Sequence, residues 1–249
     1  MMESVKSIAH ELRLFGIHGA AERRCQEAQA ESLHPAEFLR LLLEDEKDRR
    51  RQIVAKRLTT RAKFRSSAQL EEWDFATKRG ITKAKLKELT LLNFYHKKQN
   101  LILVGKTGLG KTHLSIAIGK RICEQGISTK FYSTNLLLEE AASEKAAGRY
   151  LKFIKNIKKI EVIILDDFAL RRYSHDEANV LLEIIEERYQ KGICIVSSQV
   201  SPQGWKNLFE DSVISEAIVD RLVNPSETIT LDGQSYRKNL NSLENNKGA

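Results

Sequence analysis

The chain has 249 residues, 41% of them hydrophobic and 30% charged, enough for one large domain or a domain with a smaller appendage. No run approaches the ~18 apolar residues of a membrane span, the first residues lack a signal-peptide core, and three scattered cysteines (Cys25, Cys123, Cys194) argue against a disulfide framework or zinc ribbon, so reduced thiols, a cytoplasmic location and no membrane partner are expected. The net charge is +8, and a stretch from Lys47 to Arg65 with nine basic residues and one acid carries all of that excess, which points to an acidic partner such as nucleic acid.

Residues 1–66 read as a small all-helical domain. Val5, Ile8, Leu12, Leu14 and Phe15 fit one short amphipathic helix by their 3–4 spacing. Ala20–Ala30 is a second. Pro35 opens a third, with Glu37 in its first turn and Phe38, Leu41 and Leu42 on its core side. The apolar pattern continues through Ile53, Val54 and Leu58, so the basic residues lie on the second half of one long helix. A charge run is ordinarily a solvated face. Arg49, Arg50, Arg51, Lys56, Arg57, Arg61 and Lys63 are the candidate contacts to DNA phosphates, for which steep salt dependence and no base reading are expected.

Residues 67–249 read as a second domain of alternating strands and helices. Ser66-Ser67 is a plausible joint, and Trp73 and Phe75 are better read as core than as an adenine pocket. Leu86, Leu89, Leu92 and Phe94 mark a short helix. Strands are predicted at Leu101–Val104, Thr129–Tyr132, Val162–Leu165, Ile193–Val196 and Thr228–Leu231. Helices are predicted at Thr112–Glu124, Leu136–Tyr150, Asp176–Gln190 and, in two pieces, Ser201–Asn224. Continuous apolar strands alternating with helices imply an α/β fold around a central parallel sheet covered on both faces. The cationic stretch Arg149, Lys152, Lys155, Lys158 and Lys159 precedes the third strand; Lys155 and Lys158 are candidate DNA contacts.

The strand ending at Val104 runs into Gly105-Lys106-Thr107-Gly108-Leu109-Gly110-Lys111-Thr112, a G-x-x-x-x-G-K-[ST] phosphate loop before a helix. Glycines let backbone N–H groups approach phosphates, and the helix N-terminus adds partial positive charge. Lys111 is expected to reach the β- and γ-phosphates of ATP, and the Thr112 hydroxyl to bind Mg²⁺. His113 belongs to this segment by position, but its side chain reads as a packing or solvent residue. The strand Ile163-Ile164-Leu165 ends in two carboxylates: Asp166 would hold the Mg²⁺ hydration shell, and Asp167 would orient and deprotonate an attacking water. Ser197-Ser198-Gln199 ends the next strand, where Ser198 or Gln199 would sense the γ-phosphate or serve only as a strand-to-helix cap. Arg221 in Val219-Asp220-Arg221-Leu222 suits either a phosphoryl-stabilising role from a neighbouring subunit or a surface pair with Asp220 or Glu216. Arg237 in Ser235-Tyr236-Arg237-Lys238 is a weaker candidate of the same kind.

These motifs, taken with Leu14-Phe15-Gly16-Ile17, the Pro35–Leu42 segment, ILDDFAL, SSQ followed by Trp205, AIVDRL and LDGQSYRK, resemble the IstB-like transposition helper ATPases, which are close to DnaC-type helicase loaders within the AAA+ group. The resemblance runs over about residues 5–240. It implies a AAA+ P-loop core, an N-terminal helical domain, and ATP-dependent assembly on duplex target DNA to help a cognate transposase. By the same resemblance Asp167 is the catalytic acid, Ser198 and Gln199 the sensor region, Arg221 a finger acting on a neighbouring subunit, and Arg237 a possible second sensor. Phe168-Ala169 and Arg171-Arg172 depart from the family's pattern after the paired acids. Only about 18 residues follow the last strand, too few for a full helical lid. The competing readings are a helicase loader, a scaffold that binds ATP and DNA with little hydrolysis, and a small-molecule kinase. The basic N-terminal helix and the absence of a substrate lid disfavour the kinase, and Asp167 disfavours the pure scaffold.

Overall fold

The computed structural model describes residues 2–236. Two compact units divide them. The first is built on residues up to Leu58 together with Glu124–Gly126, and the second on Thr59–Cys123 with Ile127 onward.

Three helices make the first unit: α1 (Met2–Glu11), α2 (Phe15–Ala30) and most of α3 (Pro35–Ala62). The single helix expected across Val5–Phe15 is in fact two, because the chain turns at Arg13, which takes a left-handed φ of 58°. The turn brings the start of α2 against α3. There Glu46, 6% exposed, accepts from the N–H of Gly16 at 2.6 Å and of Ile17 at 3.4 Å, and Arg50 donates to it at 2.6 Å. A carboxylate thus satisfies N–H groups that a helix start leaves unpaired. Arg24 and Asp45 add an ion pair at 2.7 Å between the same two helices. Ala9, Ala20, Ala21 and Leu42 form the buried apolar contacts, while Phe38 and Leu41 are only half-buried. With so small an apolar core, the polar contact at Glu46 carries a large share of the fit.

The second unit opens with α4 (Lys83–Thr90) and α5 (Asn93–His96). It continues as β1 (Asn100–Val104), α6 (Lys111–Glu124), β2 (Thr129–Ser133), α7 (Thr134–Ala146), α8 (Tyr150–Lys158), β3 (Val162–Phe168) and α9 (His175–Arg188). It closes with β4 (Ile193–Ser198), α10 (Pro202–Trp205), α11 (Ser212–Val223) and β5 (Ser226–Thr230). The five strands are parallel in the order β2-β3-β4-β1-β5. Alternate strand residues point to opposite faces, and both faces are buried. Leu101, Leu103, Ile164 and Ile195 pack with Leu114 and Ile118 of α6. Ile102, Val104, Ile163 and Leu165 pack with residues of α7, α8, α9 and α11. This double burial is why the strands read as unbroken apolar runs. The helix expected over Leu136–Tyr150 breaks after Ala146: Gly148 adopts φ 68°, which the missing Cβ permits, and α8 starts afresh at Tyr150.

The carboxyl of Glu46 illustrates a pH dependence. Burial opposes its ionisation, but Arg50 and the N–H groups of Gly16 and Ile17 outweigh that and hold it below the ordinary carboxylate range. Its contribution to stability is therefore present above the unfolded-state pKa and is lost as pH falls through the depressed native value. Glu46→Ala is expected to destabilise the first unit by about 1–3 kcal/mol at neutral pH. In urea titrations the gap from wild type should shrink in acid; a gap independent of pH contradicts the assignment.

Candidate nucleotide site

β1 delivers the chain to the C-terminal edge of the sheet, where ligands bind in open α/β folds. Residues 105–110 turn there and α6 begins at Lys111. The turn needs Gly110, whose φ is 94° and where a Cβ would lie 2.9 Å from Arg79 Nη1. Lys111 is 7% exposed, and its Nζ donates to Gly105 O at 2.6 Å and Lys106 O at 3.0 Å, so its charge sits inside the curve of the loop. Thr107 donates to Gln199 Oε1 at 2.8 Å and ties the loop to the end of β4.

Asp166 is 1% exposed at the end of β3. The Thr112 hydroxyl lies 3.0 Å from both of its carboxylate oxygens, and the Ser197 hydroxyl donates to it from β4. Burial pushes the Asp166 carboxyl above the ordinary range; the Ser197 hydrogen bond draws it back, Asp167 adds to the rise, and Thr112 and Arg65 oppose it. A hydroxyl beside a buried carboxylate is a hard oxygen pair suited to Mg²⁺, which binds one or two protein oxygens along with water and phosphate oxygens. The donor set therefore fits Mg²⁺.

A β-bulge then breaks the alternation of β3. Leu165 pairs with Val196 and Phe168 with Ser198, so Asp166 and Asp167 together oppose Ser197. Asp167 takes φ 55°, and its N–H donates to Ser197 Oγ at 3.2 Å. In a regular strand the two carboxylates would face opposite sides of the sheet. Here both line one cavity of about 560 Å³ with Lys111, Thr112 and Gln199.

Ser198 is buried, and its hydroxyl accepts from Val200 N–H at 3.1 Å and from Trp205 Nε1 at 3.2 Å. The helix that follows starts at Pro202 with Ser201 as its N-cap residue, so Ser198 is not the cap of that helix, and of the Ser198/Gln199 pair only Gln199 lines the cavity. His113 has Nε2 3.2 Å from Gln69 O and its ring 6.2 Å from that of Trp73, a packing role at the cavity rim. Arg221 is absent from the walls of this cavity. It pairs with Glu186 at 2.5 Å, not with Asp220 or Glu216, and its carbonyl accepts from Asn100 at the opposite end of β1 from the phosphate loop. Arg237 lies outside the described residues. Trp73 is 4% exposed in the core beneath the phosphate loop, as expected for a packing residue.

Among the expected DNA contacts, Arg49 stacks 4.9 Å over the Phe15 ring, Arg50 is tied to Glu46, and Arg51 lies 3.9 Å from Asp48. Lys56, Arg57, Arg61 and Lys63 are exposed. On α8, Phe153, Ile154 and Ile157 face inward; Lys155 is exposed, and Lys158 is exposed but paired with Glu187 at 2.5 Å.

Three features of the site escaped sequence reasoning. Ser197 was passed over for its two successors because the bulge that aims it leaves no trace in hydrophobic periodicity. Arg79 carries no motif that marks it, yet it is 4% exposed, 3.8 Å over the Trp73 ring, 4.6 Å from the Tyr236 ring and 3.5 Å from Leu109 O. Arg65 merged with the basic run but lines the cavity. In each case the missing information was a long-range contact.

Because its carboxyl is raised, Asp166 contributes most to stability in acid and loses that contribution as pH rises through the raised value. Asp166→Asn should therefore raise the melting temperature of the nucleotide-free protein at neutral pH. Wild type should gain about 2.7 kcal/mol from Mg²⁺ and ATP at one hundred times their dissociation constant. The variant should gain almost none of it, and an undiminished gain on thermal melting contradicts the metal assignment.

The family model described as IstB-like ATP binding protein matches residues 7–244. A Mycobacterium tuberculosis relative, named as an ATP-binding protein in an insertion sequence, is 33% identical over 235 residues, covering 94% of this chain and 94% of the relative. The ATP-binding protein of insertion sequence IS21 from Pseudomonas aeruginosa is 28% identical, over 95% of this chain and 89% of its own. Among solved structures, the DnaC helicase loader superposes with a TM-score of 0.54 at 25% identity, covering 66% of this chain and 97% of that one. DnaI gives a TM-score of 0.57 at 21% identity, covering 67% and 92%, a likeness of fold. The sheet order and phosphate loop accordingly make up a AAA+ core. The family match takes in the phosphate loop, the paired acids and the helices before them, and the chain belongs to the IstB-like ATP-binding proteins.

Proposed function

We propose that this chain is an ATP-hydrolysing regulator that assembles on duplex DNA and stimulates a partner transposase in insertion-sequence transposition. The observation that carries the hydrolytic part is the bulge that turns Asp166 and Asp167 into one cavity with Lys111 and Thr112. A site that only bound nucleotide would not need the second carboxylate. The insertion-sequence names of the relatives support the transposition setting. No helix among the described residues is long and apolar enough to cross a membrane, in keeping with action in the cytoplasm.

In this reading the loop amides and Lys111 hold the β- and γ-phosphates, as P-loops do. Thr112 and Asp166 hold Mg²⁺, which neutralises charge on the phosphates when bound. Asp167 orients the water and takes its proton, and Gln199, bonded to Thr107, reports the state of the γ-phosphate to β4. Arg221 acts on the site of a neighbouring copy, consistent with its distance from its own. ATP favours an assembled state in proportion to its differential affinity for that state. Residues 1–66, with their exposed cations, form the DNA-contacting domain, and residues 67–249 the ATPase domain. The likeness to the DnaC helicase loader supports a second reading, loading of a replicative helicase. The exposed cations of α3 favour DNA over a helicase as the partner of the N-terminal domain.

Light scattering after gel filtration, with a duplex and either ATP or ADP, tests the proposal. Asp167→Asn is used to hold ATP unhydrolysed. A large DNA-bound assembly is expected with ATP alone, weakening steeply as salt rises. A monomer on DNA in both nucleotides contradicts it.

A further inference from the structure

Arg65 is the last residue of the basic run and sits unlike the others. The run follows α3 to Ala62, which is fully buried. Phe64 then packs against the core of the second unit, and a Cβ on Gly119 of α6 would meet its ring at 2.8 Å. Lys130 of β2 donates to the Arg61 carbonyl at 3.1 Å. Residues 61–64 are thereby fastened to α6, the helix that opens with Lys111 and Thr112, and to β2, the strand beside β3. Arg65 comes next. Its guanidinium lies 5.6 Å from the centroid of the Phe131 ring, its side chain is exposed, and it forms part of the cavity wall with Asp166 and Asp167. Among the described residues no carboxylate lies within ion-pairing distance of it. A guanidinium on the wall of a cavity that Lys111 and Thr112 also line offers a planar fork of donors, which matches phosphate oxygens better than an ammonium does.

We propose that Arg65 is a phosphate contact made within the same subunit, and that it couples a bound triphosphate to the basic segment Lys47–Arg65. The proposal rests on the cavity being the ATP site. A nucleotide with a γ-phosphate engages Arg65 and a diphosphate leaves it disengaged. Arg65 is three residues from the end of α3, Ala62 is fully buried and Phe64 packs against the core, so the difference reaches the helix through a short, anchored piece of chain. Arg57, also exposed but within the first unit, serves DNA alone.

The test compares the full-length wild type with Arg65→Ala, Arg65→Lys, Arg57→Ala and Lys111→Ala. It measures affinity for fluorescent ATP and ADP analogues with Mg²⁺, and affinity for a short duplex in each nucleotide at fixed salt. Arg65→Ala should lose about tenfold in ATP affinity, the scale of a lost charge-assisted contact, while ADP affinity changes little. Arg65→Lys should recover part of the loss. The advantage of ATP over ADP for DNA binding should narrow in Arg65→Ala, whereas Arg57→Ala should lower DNA affinity alike in both nucleotides. A wild-type ratio of ATP to ADP affinity in Arg65→Ala overturns the proposal, as does a loss of DNA affinity equal in both nucleotides. If Lys111→Ala abolishes nucleotide binding and Arg65→Ala leaves that ratio intact, the Arg65 assignment alone falls. If Lys111→Ala binds ATP like wild type, the cavity is not the ATP site and both readings fall.

Discussion

One buried carboxylate holds the site together. Asp166 draws hydroxyls from Thr112 on α6 and Ser197 on β4 while itself lying on β3. Its backbone carbonyl accepts from Thr134 at the start of α7. Four elements therefore meet at a charge that burial penalises. Such a charge persists only where hydrogen bonds or a bound cation compensate it. The same position supplies part of the compensation and the chemistry, since the Thr112 hydroxyl that satisfies the carboxylate forms with it the oxygen pair suited to Mg²⁺.

The architecture of the core was legible in the sequence because it depends on local signals. Runs such as Val162–Leu165 announce parallel strands buried on both faces, and the glycine-lysine-threonine loop after Val104 announces a phosphate cradle. The bulge at Asp166 and Asp167 was not legible. Hydrophobic periodicity treats consecutive residues as facing opposite ways, and nothing local says that two of them oppose one Ser197. The environment of Ser198 is not legible either, since its hydroxyl accepts from the indole of Trp205, seven residues on. The break at Arg13 is similar: a left-handed residue in the middle of an amphipathic pattern is fixed by the contact of Gly16 with Glu46, thirty positions away.

The basic run shows how charge divides once a fold exists. Some of its cations are used within the chain, Arg50 on Glu46 and Arg49 on Phe15, and others such as Arg57 and Lys63 are left to solvent. Only its last member, Arg65, reaches the nucleotide cavity. A net charge therefore counts cations, while burial and pairing decide which of them stay open to solvent. α3 is continuous from the first unit into the second, so the basic run and the residues that lead to Arg65 belong to one unbroken stretch of chain.

Phosphate release under saturating ATP and Mg²⁺, in the presence of duplex DNA, tests the central claim most directly when wild type is compared with Ser197→Ala. Ser197 contacts both halves of the bulged pair, so its loss misaims Asp167 without touching the phosphate loop. The account predicts turnover lowered by roughly 10²-fold, on the scale of a displaced general base, with ATP affinity nearly intact. Turnover equal to wild type would contradict the view that the bulge at Asp166 and Asp167, pinned by Ser197, is what makes this site hydrolytic.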